Sequence, residues 1–157
     1  MVAVFLVINR VDLAQKLVAQ TRVWCEDAPI AQLAEAWTGL LAGGSKYGEA
    51  SYIFDELAQA SSASSARLLT AQAVCRMHLA QFPEALELLQ EALEKDANAP
   101  DTLANLVVCA SHAGLPQETR SRHLAQLRHA APAHPFVVDL DAKAVEFDAA
   151  AAKLGSQ

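Results

Sequence analysis

The chain has 157 residues, 53% of them apolar and only 6% aromatic, enough for one domain with a continuous core and poor in the ring side chains that β-sandwiches favour. A formal charge of −6 excludes sequence-independent binding to nucleic acid, because neutralising phosphates takes a basic stripe. Three widely spaced cysteines, Cys25, Cys75 and Cys109, with no Cys-x-x-Cys pair, read as small apolar side chains of a reducing compartment rather than a disulfide framework.

The opening Met1–Ile8 is apolar, but it lacks a basic lead and a small-residue cleavage site and is far short of the ~20 residues that cross a bilayer. It reads as a core-facing helix that begins inside a structural repeat. Its partner helix spans Asp12 to Trp24, with Leu13, Leu17 and Val18 on one side. The Glu26-Asp27-Ala28-Pro29 segment leads into a second hairpin, Ile30–Leu41 with Tyr47–Gln59, turned by Gly43-Gly44-Ser45. The serine-rich stretch 61–65 is a loop between hairpins, ending in a serine N-cap. A third hairpin pairs Ala66–Leu79 with Pro83–Lys95, and a fourth pairs Asp101–His112 with Pro116–Ala130 across Gly114. After Pro132 and Pro135 a last helix over 136–154 carries Phe136, Leu140, Ala144, Phe147, Ala151 and Leu154 on one stripe, as a capping helix for the final repeat would.

The repeat shows in the spacing. Phe82-Pro83-Glu84-Ala85 opens an amphipathic helix with an aromatic, a small and then large apolar residues placed as in the second helix of a tetratricopeptide repeat. Small residues at the matching place recur at Ala14, Ala50, Ala85 and Thr119, intervals of 36, 35 and 34 residues. The predicted fold is therefore all-α: one domain over 1–157, a tetratricopeptide-like right-handed solenoid of about four helical hairpins, the first truncated. Each hairpin of such an array buries its inner face only against its neighbours, so the architecture offers an extended surface rather than a closed pocket.

No catalytic, cofactor or metal site is expected. Cys75-x-x-His78 and Cys109-x-x-His112 hold zinc-ligand types in successive repeats. The repeat itself explains their register, as a small core residue followed by a surface polar one. Glu84, Glu87, Glu91 and Glu94 form an acidic stripe that reads as a solvated face, and no Glu-x-x-His pattern supplies a second carboxylate helix. His134, before Pro135, reads as a turn residue. Arg120, Arg122 and Arg128 with His123 and His129 make a local basic patch, read as a solvated face.

The segments Gln32-Leu33-Ala34-Glu35-Ala36-Trp37, Gly43-Gly44, Ala50-Ser51-Tyr52-Ile53-Phe54, Leu88 to Asp96, Thr102 to Leu106, His134-Pro135-Phe136 and Ala142-Lys143 resemble, in order, the C-terminal part of the epsilon subunit of coatomer, the COPI vesicle coat. That resemblance implies a non-catalytic, tetratricopeptide-like subunit that binds and stabilises the C-terminal region of the alpha subunit, alongside other coatomer subunits, in Golgi-to-ER retrograde and intra-Golgi transport. It implies a cytoplasmic protein, peripheral on Golgi and COPI-vesicle membranes only through the coat, and no nucleic-acid partner. It covers about the C-terminal half of such a subunit, so an apolar Val4–Ile8 end without a preceding repeat is expected to self-associate. The alternative, a tetratricopeptide adaptor gripping a chaperone tail, needs basic first helices, and only Arg67 and Arg76 are basic there.

Overall fold

A computed structural model of the protein describes residues 1–25, 27–60 and 64–155. Nine α-helices follow one another among those residues, with no strand: α1 (Val2–Val7), α2 (Val11–Cys25), α3 (Pro29–Ala42), α4 (Lys46–Ala60), α5 (Ala66–His78), α6 (Phe82–Lys95), α7 (Pro100–His112), α8 (Gln117–Ala130) and α9 (Pro135–Gly155). The boundaries fall within about two residues of the predicted ones, because proline and left-handed residues mark them. Prolines occupy the first turn of α3, α6 and α7, where the missing N–H costs no helical hydrogen bond. Glu26 and residues 61–63 of the serine-rich stretch lie outside the described residues. Ser65 caps α5, its side chain accepting the Leu68 N–H at 3.3 Å.

The period is written most clearly in the turns inside each hairpin. Their left-handed residues are Asn9, Gly44, Ala80 and Gly114, spaced 35, 36 and 34 residues apart. Three of them close the preceding helix alike: the Arg10, Gln81 and Leu115 N–H groups donate to the carbonyls of Phe5, Arg76 and Ala110, five residues back, at 2.8, 2.9 and 2.9 Å. Only the two glycines take this conformation without strain; alanine at position 80 does so because its neighbours are fully hydrogen-bonded.

Three core clusters are staggered along the array. Ala36, Leu40, Ala50, Phe54, Ala71 and Cys75 join α3, α4 and α5; Ala73, Ala85, Leu89, Leu106 and Cys109 join α5, α6 and α7; Leu103, Ala104, Leu127 and Val137 join α7, α8 and α9. Each cluster takes one helix from the following hairpin, which is how a quasi-linear array passes stability along. Alanines at the crossing points let the helices approach closely. Between α5 and α7 the Thr70 hydroxyl donates to its own helix at Ala66 and so accepts from Thr102, 2.7 Å away, which satisfies both hydroxyls inside the core.

Both ends depart from the predicted packing. α1 is not core-facing: none of its residues is buried, and Val4, Val7 and Ile8 are exposed. It packs against α2 and α3, and the remaining part of its circumference is open. At the other end α9 caps the last hairpin with apolar contacts in its first turn alone, Val137 buried and Phe136 half-buried, and the rest of its stripe is exposed.

Candidate partner-binding surface

The first helices of the hairpins, α1, α3, α5 and α7, lie side by side and line one face of the array. α3 is the key element because it carries two apolar stripes. One holds Ala36 and Leu40 and enters the core; the other, Ile30, Leu33, Trp37 and Leu41 at intervals of 3, 4 and 4, looks outward. Against α1 that second stripe forms a cleft of about 760 Å³ with Leu6 and Val7. On the side of α5 the same Ile30, Leu33 and Trp37 form a cleft of about 700 Å³ with Leu57 and Leu68. Shared walls make the two clefts one apolar groove. The Trp37 indole meets the Phe54 ring edge-on at 5.7 Å, and this fixes an anchor that remains 41% exposed.

Between α5 and α7 the face continues into a cleft of about 410 Å³ lined by Val74, Met77, Asn105 and Val108. At its edge two stacked pairs repeat in register: Tyr47 with His78 (4.2 Å, 3°) and Phe82 with His112 (5.1 Å, 5°). In each pair a ring from the start of a second helix stacks on an imidazole at the end of the next hairpin's first helix. The opposite face has a smaller cleft of about 260 Å³ with charged walls, where Arg22 engages Glu35 and Lys46 engages Glu49 at 2.6 Å.

This geometry parts the residues of the Cys-x-x-His pairs. Cys75 and Cys109 are fully buried, and burial pushes the Cys75 thiol up to about 12 and the Cys109 thiol upward as well, so both stay protonated. Cys109 Sγ lies 3.5 Å from the Phe82 carbonyl, while His78 and His112 are exposed and stacked on rings. Among the described residues no three potential metal ligands cluster. Glu84, Glu87, Glu91 and Glu94 are all exposed, Glu91 pairing with Lys95 at 3.6 Å.

His134 sits in the turn before α9, its Nδ1 accepting the Phe136 N–H at 3.3 Å, so that Nε2–H donates to Asp101 at 3.1 Å. It ties α9 to α7. The basic residues of α8 do not converge: Arg128 engages Asp141, Arg120 and His123 are half-buried, and Arg122 and His129 are exposed. Burial, then the Arg122 charge, lowers the His123 pKa. Of the two basic residues on the first helices, Arg76 turns to α4 and α6, donating to Asp55 at 3.0 Å and Gln81 at 3.2 Å, which leaves Arg67 on the groove rim.

The outward stripe of α3 is not distinguished from a core stripe by sequence reasoning. The signal that could have found it is a helix apolar over two stripes instead of one.

Stacked hairpins with an apolar groove along their first helices define a tetratricopeptide-like scaffold, and solved structures agree on that fold. PcrH from Pseudomonas aeruginosa superposes with a TM-score of 0.63 at 24% identity, over 77% of this chain and 89% of that one. PcrH in complex with the chaperone binding region of PopB gives the same score and identity over 77% and 94%. The chain belongs to the coatomer epsilon subunit family, whose model matches residues 1–154. It is 43% identical over 136 residues to coatomer subunit epsilon-1 of Arabidopsis thaliana, covering 87% of this chain and 45% of that protein. It is 43% identical to coatomer subunit epsilon-1 of Oryza sativa subsp. japonica (87% and 46%) and 35% identical to coatomer subunit epsilon of Dictyostelium discoideum (87% and 45%). The chain spans about half the length of these relatives. The family is one of structural coat proteins, not of enzymes. Among the described residues no helix is long and apolar enough to cross a membrane.

Proposed function

We propose that residues 1–157 form one solenoid domain of a COPI coat protein that binds and stabilises the C-terminal region of the alpha subunit of coatomer, without catalysis, metal or cofactor. In this reading the protein works with the other coatomer subunits in Golgi-to-ER retrograde and intra-Golgi transport, from the cytoplasm, and meets the membrane only through the coat. Membership of the coatomer epsilon family supports the coat role. The observation that carries binding is the apolar groove on α3, where Ile30, Leu33 and Trp37 are offered to a partner instead of the core. A half-exposed, ring-locked tryptophan between two clefts has the character of an interface hot spot.

The test is co-expression with the C-terminal region of the alpha subunit from the same organism, followed by pull-down and size-exclusion chromatography. Co-elution is expected, and Trp37→Ala should weaken the complex by about 2 kcal/mol, roughly thirtyfold, as truncated hot spots do. Absence of co-elution, with binding of a chaperone-tail peptide instead, replaces the coat reading by the adaptor one.

A further inference from the structure

α9 carries an apolar stripe that its own fold does not cover. Its first turn is docked, but from Val138 to Leu154 every side chain is exposed, Phe147 at 72% and Leu154 at 74%. Along this stretch Val137, Ala144 and Ala151 occupy one heptad position, and Leu140, Phe147 and Leu154 the other, alternating by 3 and 4 residues. Such alternation is the seam of a coiled coil. Its composition is uneven, alanine at one inner position and large residues at the other.

That unevenness selects a partner. In an antiparallel pair of identical helices the two inner positions face each other, so Leu140 meets Ala151 and Ala144 meets Phe147; every large side chain then lies over a small one, which is how a close-packed core is filled. In a parallel pair like faces like, leucine on leucine and alanine on alanine. The parallel arrangement also brings both solenoid bodies to the same end, on the face that Val137 already fills.

Charge agrees with the antiparallel choice. Asp141 and Asp148 border one edge of the seam, and pairing brings Asp148 of one copy to Asp141 of the other, where Arg128 already stands on Asp141. On the second edge Lys143 is neutralised by Glu146 at 3.1 Å. A lipid surface fits poorly: Asp139, Asp141, Glu146 and Asp148 outnumber Lys143 and Lys153, whereas helices that lie on membranes present lysine and arginine.

We propose that α9 is a self-association element, pairing antiparallel with α9 of a second copy of this chain and holding the two solenoid bodies at opposite ends. The seam from Leu140 to Leu154 is about 21 Å long at the rise of an α-helix. An interface of that size falls at the small end of specific contacts, so the dimer dissociates on dilution. It uses none of the groove residues and stands apart from the coat reading.

The test is sedimentation velocity of the full chain across a dilution series, with orientation read by cysteine pairing. The expected result is a reversible monomer–dimer equilibrium. Phe147→Asp should raise its dissociation constant roughly tenfold to a hundredfold, the loss of one large buried side chain, with an unchanged circular dichroism spectrum. In a Cys25→Ser background, Leu140→Cys and Ala151→Cys chains should form a disulfide with each other on mixing, and neither with itself. A monomer at all concentrations, self-association that survives Phe147→Asp, or Leu140→Cys joining to itself would each overturn the proposal. So would sedimentation of wild-type chain, but not Phe147→Asp, with phosphatidylserine vesicles while the protein stays monomeric, which gives the stripe to a lipid surface.

Discussion

α6 and α9 are both amphipathic, with apolar residues at helical spacing, yet Ala85, Leu89 and Ala92 of α6 are completely buried while α9 is bare after Val137. The difference lies outside the helices. α6 is held by α5 within its hairpin and by α7 of the next, whereas α9 adds apolar residues to the core only from its first turn. In a stacked array a stripe is buried where a neighbour arrives on each side, so identical patterns have opposite fates in the middle and at the end. α1 repeats the lesson at the other end, where Val4 and Val7 stay exposed despite a wholly apolar sequence.

The strongest way to break the comparison is to put a charge at its centre. Ala85→Glu places a carboxylate where α5, α6 and α7 meet with no free space, and burying an unpaired charge costs more than a domain of this size has to spare. Loss of the helical circular dichroism signal at room temperature is expected; a folded variant with an ordinary melting transition would show that the middle hairpin is looser than its packing indicates. Next, Leu106→Ala, in the same cluster and 2% exposed, should lower stability by about 2–5 kcal/mol in urea unfolding, the range for large-to-small changes in closed cores. The matching change at the end, Leu154→Ala, should stay within about 0.5 kcal/mol under dilute conditions, because nothing in the fold covers that side chain. A cost at Leu154 approaching that at Leu106 would mean that the end of α9 is covered in solution by the monomer itself.

Much of the fold was legible because its signals are local. Pro29, Pro83 and Pro100 start helices, Gly43-Gly44 and Gly114 end them, and small residues every 34 to 36 residues mark the helix crossings. Asn9 and Ala80 are not legible as turn residues although they complete the same period. Neither is glycine, and only backbone hydrogen bonds to Phe5 and Arg76 show that the chain turns there. The candidate surface was less legible. Ile30, Leu33 and Trp37 look like core residues by composition, and whether an apolar side chain points into a core or a groove depends on which helix packs beside it. The Cys-x-x-His pairs illustrate the converse: three residues of helical rotation send Cys75 inward to a protonated, buried thiol and His78 outward onto Tyr47, a separation implicit in the spacing.

By itself the sequence determined the class of fold, the limits of the helices and the family, since each follows from period, punctuation and segment identity along the chain. Tertiary structure alone decided which apolar stripes are core and which are surface: the outward stripe of α3, the bare length of α9 and the uncovered face of α1. The physical reason is that amphipathicity is a property of one helix, while burial is a property of a helix and its neighbours, and only the assembled array says which stripes have neighbours.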